Sequence, residues 1–324
     1  MDLMAVSALI IGHAIGDALG VPVEFKKRRE LEENPVIDMR GFGTHNVPAG
    51  TWSDDTSMTL CLLESLSRLG TVDYDDIMQN FVSWMKSGRF TATDVAFDIG
   101  IATRRALMAY APDSKLITKT KPLQCGSDSE QSNGNGSLMR IAPMALYLYQ
   151  SADLTWNDME IVHDVSKLTH AHVRSQMGCG IYVFIAIELI KGNGLRNSIK
   201  NGTRKAYRLY RQRSGFAREM DTYSRLWDID NFARLSDREI RSTGYIVDTL
   251  EAAIWCLLTT DNYCECVLKA VNLGDDTDTV GAVTGGLAGL FYGLDNIPPI
   301  WKEKLLRIGY IKELCNEWFL RFGH

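Results

Sequence analysis

Leu273 to Gly293 reads LGDDTDTVGAVTGGLAGLFYG. It opens on Asp275, Asp276 and Asp278, interleaved with Thr277 and Thr279, and runs directly into an apolar segment rich in Gly and Ala. Three carboxylates this close repel one another by about 1 kcal/mol per pair at 4 Å, even in water. A helix N-terminus tolerates one or two acids as caps. Hard divalent cations repay the repulsion more fully, and Asp and Thr oxygens are their ligands. A second stretch, Gly50 to Met58 (GTWSDDTSM), repeats the pattern with Ser53, Asp54, Asp55 and Thr56 ahead of an apolar run to Leu69. Two acidic helix starts far apart in sequence can meet in space and enclose one or two cations.

Outward from these stretches the chain reads as helices. Residues 4–20, 51–69, 74–86, 93–110, 158–168, 173–190, 244–258, 263–271 and 301–322 carry apolar residues at helical spacing. Residues 26–50, with Gly41, Gly43, Pro48 and Gly50, read as a long loop of the kind that lines sites; 112–131 reads as a polar loop. No alternating apolar run bounded by turn pairs is present, and no repeat of 20 to 50 residues stands out. The expectation is an all-α fold of roughly a dozen helices in one domain, residues 1–324.

Composition narrows the function. The 324 residues are 45% hydrophobic, enough for a sizeable core. The net charge of −5 (35 basic, 40 acidic residues) gives no general attraction to nucleic acid. Arg204, Arg208, Arg211 and Arg213 cluster locally and read as a solvated helix face. Seven cysteines with no CxxC pair read as reduced thiols of a cytoplasmic protein. The N-terminal apolar run, broken by Gly12, His13 and Asp17, is read as neither a signal peptide nor a membrane span, and Ala282–Tyr292 is too short to cross a bilayer.

Known acidic metal motifs do not fit. Counted from Asp276 as a calcium loop, Val280 falls at position 5 and Leu287 at position 12, where a bidentate Glu belongs. Read as DDxxD, Asp54-Asp55 places Met58 at the third acid. A two-helix-end site of Asp, Ser and Thr oxygens remains, suited to Mg²⁺ or Mn²⁺. Asn133, Gly134, Asn135 and Gly136 form a turn rich in backbone N–H groups, able to cradle a phosphate or simply to reverse the chain. His170 and His172, two apart, do not share a helix face, so at most one points into a site. Asp98 reads as an acid interrupting a helix face, Asp17 as a helix-end acid and Glu24 as a loop acid.

GDALG with Glu24 beyond it, GTWSDDTSM, FDIGIAT, NGNGSLMRIAP, THAHVRS, GYIVDTLEAA and GDDTDTVGAVTGGLAG follow one another in this order. In this the chain resembles the ADP-ribosylglycohydrolases, in particular the branch related to dinitrogenase reductase-activating glycohydrolase, from about Leu9 to Gly293. The resemblance implies an all-α domain with a binuclear Mg²⁺ or Mn²⁺ centre. It implies hydrolysis of the N-glycosidic bond between ADP-ribose and an arginine of a mono-ADP-ribosylated protein, with ADP-ribose as product. The same scaffold could instead cleave O-linked ADP-ribose (on serine or in O-acetyl-ADP-ribose) or ADP-ribosylated nucleobases, or bind ADP-ribose without turnover. By resemblance, Ser53, Asp54, Asp55, Asp276, Asp278 and Thr279 would bind metal. Asp55, Asp278, Glu24 and Asp98 would serve catalysis, Glu24 near the metals and Asp98 facing the leaving group. Asn135, Gly136, Ser137 and Met139 would hold the distal ribose and phosphates, with His170 or His172 beside the ribose and Tyr245 on the adenosine side. Ser53 stands where many relatives carry Thr, and oxygen ligation survives that change. Asp275 receives no role.

Overall fold

Residues 12–20 and 281–289 share a glycine every fourth position, and that spacing builds the centre of the molecule. The computed structural model describes residues 2–113, 118–151 and 154–323, so residues 114–117 of the expected 112–131 loop lie outside it. The helices in chain order are α1 (Leu3–Gly20), α2 (Arg28–Glu33), α3 (Asp54–Leu69), α4 (Tyr74–Ser87), α5 (Ile101–Tyr110), α6 (Ala142–Leu148), α7 (Trp156–Lys167) and α8 (Val173–Ile190). There follow α9 (Leu195–Tyr210), α10 (Ser214–Ala217), α11 (Ile229–Phe232), α12 (Ile246–Leu258), α13 (Tyr263–Val271), α14 (Thr277–Tyr292), α15 (Pro299–Lys304) and α16 (Ile308–Phe322). Among the described residues there is no β-strand, only two isolated bridges, Ser127 with His170 and Gly134 with Tyr245. The all-α expectation holds.

Helices α1 and α14 run antiparallel in backbone contact. A Cβ on Gly16 would lie 2.0 Å from the Gly281 carbonyl oxygen, and one on Gly12 would lie 2.5 Å from that of Gly285. At the far end, a Cβ on Gly289 would lie 2.0 Å from the Ala8 carbonyl oxygen. Thr277 Oγ1 donates to the Gly20 carbonyl (2.8 Å), tying the end of α1 to the start of α14. Buried from Val6 to Gly20, α1 is the apolar-all-round helix of a core. It and α8 are long and apolar enough to span a bilayer, but 89% and 83% of their apolar windows are buried inside the protein. Trp52, Trp84 and Trp318 are among the largest side chains fully buried in the core.

Three segments depart from the expected elements. The helix expected over 93–110 begins only at Ile101. Asp94 (φ 60°) and Asp98 (φ 52°) adopt left-handed backbone, which a helix cannot contain, and Arg307 pins the loop by donating to Thr91 O (2.9 Å) and Asp94 Oδ1 (3.0 Å). The 26–50 loop contains α2, whose Glu30 accepts the Lys27 N–H (2.8 Å). The C-terminal helix breaks into α15 and α16 at Arg307, where φ is 49° and the Leu306 N–H donates to Gly50 O (3.0 Å).

Candidate active site and metal centre

The glycine contact delivers acids to one point. The end of α1 brings Asp17, and the turn after it Glu24. The start of α14 brings Asp276, Asp278 and Thr279, and the start of α3 brings Ser53, Asp54 and Asp55. Carboxylate oxygens of Asp17, Asp55 and Asp278 lie within 4.8 Å of one another, and so do those of Glu24, Asp276 and Asp278. Asp278 therefore belongs to both triads. A third group, Glu24, His45 and Asp98, adjoins them at the same spacing and contributes their one basic side chain.

Hydrogen bonds divide the acids into two kinds. Asp17 accepts from the Ser53 N–H (2.9 Å), the Thr56 N–H (3.0 Å) and Thr56 Oγ1 (2.6 Å). It caps the first turn of α3 from another helix. Asp55 accepts only from the hydroxyls of Ser53 (2.9 Å) and Thr279 (3.4 Å), both through Oδ2. Asp55 Oδ1 and Asp278 Oδ2 are buried with no donor at all. Buried carboxylate oxygens left without donors are costly unless a cation meets them.

Electrostatics agree. Burial first, then the neighbouring carboxylates, pushes the proton affinities of Asp54, Asp55 and Asp278 well above the ordinary carboxylate range. Burial raises Asp17 to about 6 against its hydrogen bonds, and raises Glu24 to about 8 despite its bond to His45. Asp98 is raised chiefly by burial, partly offset by His45; His45 is raised by Glu24, to which its Nε2 is hydrogen-bonded. Without a counter-charge the cluster holds protons; a pair of hard divalent cations would displace them.

Beyond the acids opens a cavity of about 630 Å³. Glu24, Asp54, Asp98, Asp276 and Thr279 wall one part; Asn135, Gly136, Met139 and His170 wall another. Asn135 Nδ2 donates to Asp276 Oδ2 (2.8 Å) and Thr249 Oγ1 (2.9 Å), fixing the Gly-rich turn to the acids. Buried Arg140 holds that turn from behind, donating to Gly136 O and to Thr169 Oγ1 (2.8 Å). The Thr169 hydroxyl sits 2.7 Å from His170 Nδ1. With Arg140 donating to it, its own proton is free for Nδ1, which leaves the His170 N–H on Nε2, beside Gly136. Burial, with Arg140 adding to it, lowers His170 to about 3, so the ring is neutral near pH 7.

A family model described as ADP-ribosylglycohydrolase matches residues 4–323. The chain belongs to the ADP-ribosylglycohydrolase family. It is 34% identical over 310 residues to ADP-ribosylarginine hydrolase Tri1 of Serratia proteamaculans, covering 96% of this chain and 77% of that protein. It is also 34% identical over 299 residues to ADP-ribosyl-[dinitrogen reductase] glycohydrolase of Rhodospirillum rubrum, covering 91% and 88%. A solved ADP-ribosylglycohydrolase-related protein complex superposes with a TM-score of 0.77 at 28% identity, covering 98% of both chains.

Within this ADP-ribosylglycohydrolase, not every residue singled out from sequence faces the cavity. His170 lines it, whereas His172 caps α8, its Nδ1 accepting the Arg174 N–H (3.2 Å). Ser137 is fully buried beneath the turn and accepts from Ser166 Oγ (2.9 Å). Tyr245 precedes α12, its ring 5.9 Å from the Arg174 guanidinium and outside the cavity lining. Asp54 lines the cavity but joins neither triad. Three participants receive no site role from sequence: Asp17 and Arg140, although they lie within the GDALG and NGNGSLMRIAP stretches, and His45, in a loop with no signal. Asp275 takes a structural role, accepting from Lys27 Nζ (2.6 Å).

Proposed function

We propose that this protein is a hydrolase that frees ADP-ribose from arginine side chains of mono-ADP-ribosylated proteins, with two Mg²⁺ or Mn²⁺ ions as its cofactors. One observation carries the reading: the two carboxylate triads share Asp278, contain the donorless oxygens Asp55 Oδ1 and Asp278 Oδ2, and open onto the cavity. Asp17, Asp54, Asp55, Asp278, Glu24 and Asp276 would hold the cations, with Ser53 and Thr279 as nearby hydroxyls. When bound, such cations polarise ribose hydroxyls and a water at neutral pH.

The chain's own residues do the rest. The Asn135–Gly136 turn and the neutral His170 Nε2 offer hydrogen bonds without adding charge, a lining suited to the ribose and phosphates. A dianionic diphosphate is driven from the acid wall, so the distal ribose lies toward it and the cationic arginine lies beyond the ribose. Glu24, His45 and Asp98 gather where that arginine departs. With Glu24 given over to the cations, His45 and Asp98 beside it are the groups placed to return a proton to the leaving nitrogen. Carboxylates there also favour the positive charge that develops on the sugar ring.

Incubation with an arginine-ADP-ribosylated peptide and Mg²⁺ or Mn²⁺ should release ADP-ribose. Absence of release with either metal overturns the reading, and tight ADP-ribose binding without turnover would make the protein a binder. Faster cleavage of serine-linked ADP-ribose would reassign the bond. We also propose a cytoplasmic location, on the seven unpaired cysteines; cell fractionation checks it.

A further inference from the structure

Phe25 follows Glu24 directly and is 62% exposed. It lines the cavity beside the acids and also an adjoining depression of about 320 Å³, bounded by Lys27, Asp275 and Asp276. An exposed aromatic ring is usually free to move, but here the backbone under it is held. Phe25 N–H donates to Asp275 O (2.7 Å), and Asp275 N–H donates to Lys26 O (2.8 Å). The Lys27–Asp275 ion pair closes the same junction. Both Phe25 (φ 66°) and Asp275 (φ 61°) sit in the left-handed region, an uncommon conformation for a phenylalanine that the surrounding bonds must enforce. The His45 ring stands 6.1 Å from the Phe25 ring and 5.1 Å from that of Phe97. Glu24 and Asp98 lie within 4.8 Å of His45 through their ligand atoms.

The result is an aromatic wall bordered by carboxylates, at the edge of the acid end of the cavity. A planar cation is the ligand chemistry such a wall favours: its face stacks on a ring while its N–H groups reach carboxylate oxygens. We propose that Phe25 is the leaving-group specificity residue, stacking on the guanidinium of the modified arginine, with the depression beyond it receiving the adjoining part of the target chain. The inference rests on the proposed hydrolase reading and names the side of the site that selects arginine. Phe25 makes no contribution to the ADP-ribose half.

Phe25→Ala and Phe25→Leu test it in the full chain with Mn²⁺. The side chain is mostly exposed, so both variants should melt with the wild type. Against an arginine-ADP-ribosylated peptide, Phe25→Ala should raise KM roughly five- to tenfold, the size of a partly desolvated cation–π contact, with kcat changed less. Leu, apolar but without a π face, should recover little. Inhibition by ADP-ribose and cleavage of serine-linked ADP-ribose should not change. Calorimetric titration of agmatine into ADP-ribose-saturated protein reads the same contact without turnover, and its affinity should fall by the same factor. An unchanged agmatine affinity in Phe25→Ala, or equal losses on arginine- and serine-linked substrates, overturns the proposal. A wild type that binds agmatine but cleaves nothing overturns the hydrolase reading instead.

Discussion

Asp17 and Asp55 lie in one triad, both fully buried, yet their removal should have opposite consequences. Asp17→Ala strands the buried N–H groups of Ser53 and Thr56; two such groups cost about 2–6 kcal/mol together, and urea unfolding should show that loss with or without metal. Asp55→Ala strands no N–H and removes a like charge. The metal-free Asp55→Ala protein should therefore melt at or above the metal-free wild type while losing turnover, and Asp278→Ala should lose turnover as well. Saturating Mg²⁺ or Mn²⁺ should stabilise the wild type, by roughly 2.7 kcal/mol at 100 times Kd, and these two variants far less. An equal metal response in wild type and variants, read by thermal melting, would refute the metal assignment. At this scale the sequence was most informative about residues that cluster in it. Asp54, Asp55, Asp276 and Asp278 announce themselves by mutual repulsion. Asp17, isolated in an apolar helix, and His45, in a loop without periodicity, find their partners 20 or more positions away.

Among the elements, the α1–α14 pair sets the separation of Asp17 from Asp278. Gly16→Ala would push a methyl against the Gly281 carbonyl oxygen. The helix-propensity gain of roughly 0.5–1 kcal/mol is outweighed by an overpacking cost of about 1–3 kcal/mol or more. Gly16→Ala should thus lower stability and, by parting the helices, weaken metal affinity in a fluorescence or calorimetric titration. Gly215→Ala, whose Cβ meets nothing within 4 Å, is the control and should do neither. Helix existence was legible throughout, because apolar residues recur at helical spacing. Helix beginnings were less so: residues 93–110 read as one helix, and only the positive φ at Asp94 and Asp98 shows why the chain is not helical before Ile101. That bend is what turns Asp98 toward the cavity.

For the whole molecule the buried acids predict an unusual pH response. Glu24 titrates near 4.5 in an unfolded chain and near 8 in the metal-free fold. Between those values the folded state holds a proton that the unfolded state has lost, so stability falls as pH rises through the window. His13, lowered to about 4, and His163 and His170, lowered to about 3, act the other way. Buried as neutral rings, they make stability rise with pH up to about 6.5. The raised acids, Glu24 with Asp54, Asp55 and Asp278, outnumber these three rings, so the metal-free protein should lose stability as pH rises across 5 to 8. Saturating Mg²⁺ or Mn²⁺, which replaces those protons, should flatten the decline. Thermal melts across pH 5–8 with chelator or metal test both statements.

The hydrogen bond from Thr277 to Gly20 closes a separation of 257 residues. Contacts that distant are slow to form, because chain closure must precede any reward from them. The proposed metal centre is therefore assembled from segments more than 250 residues apart and has no partial version: neither segment alone supplies both Asp17 and Asp278. A nascent chain could hold the proposed cations only after Asp278 had been made. In kinetic terms the ion should act as a latch. Added metal should slow unfolding strongly and leave the refolding rate almost unchanged, the pattern expected of contacts that form after the folding transition state.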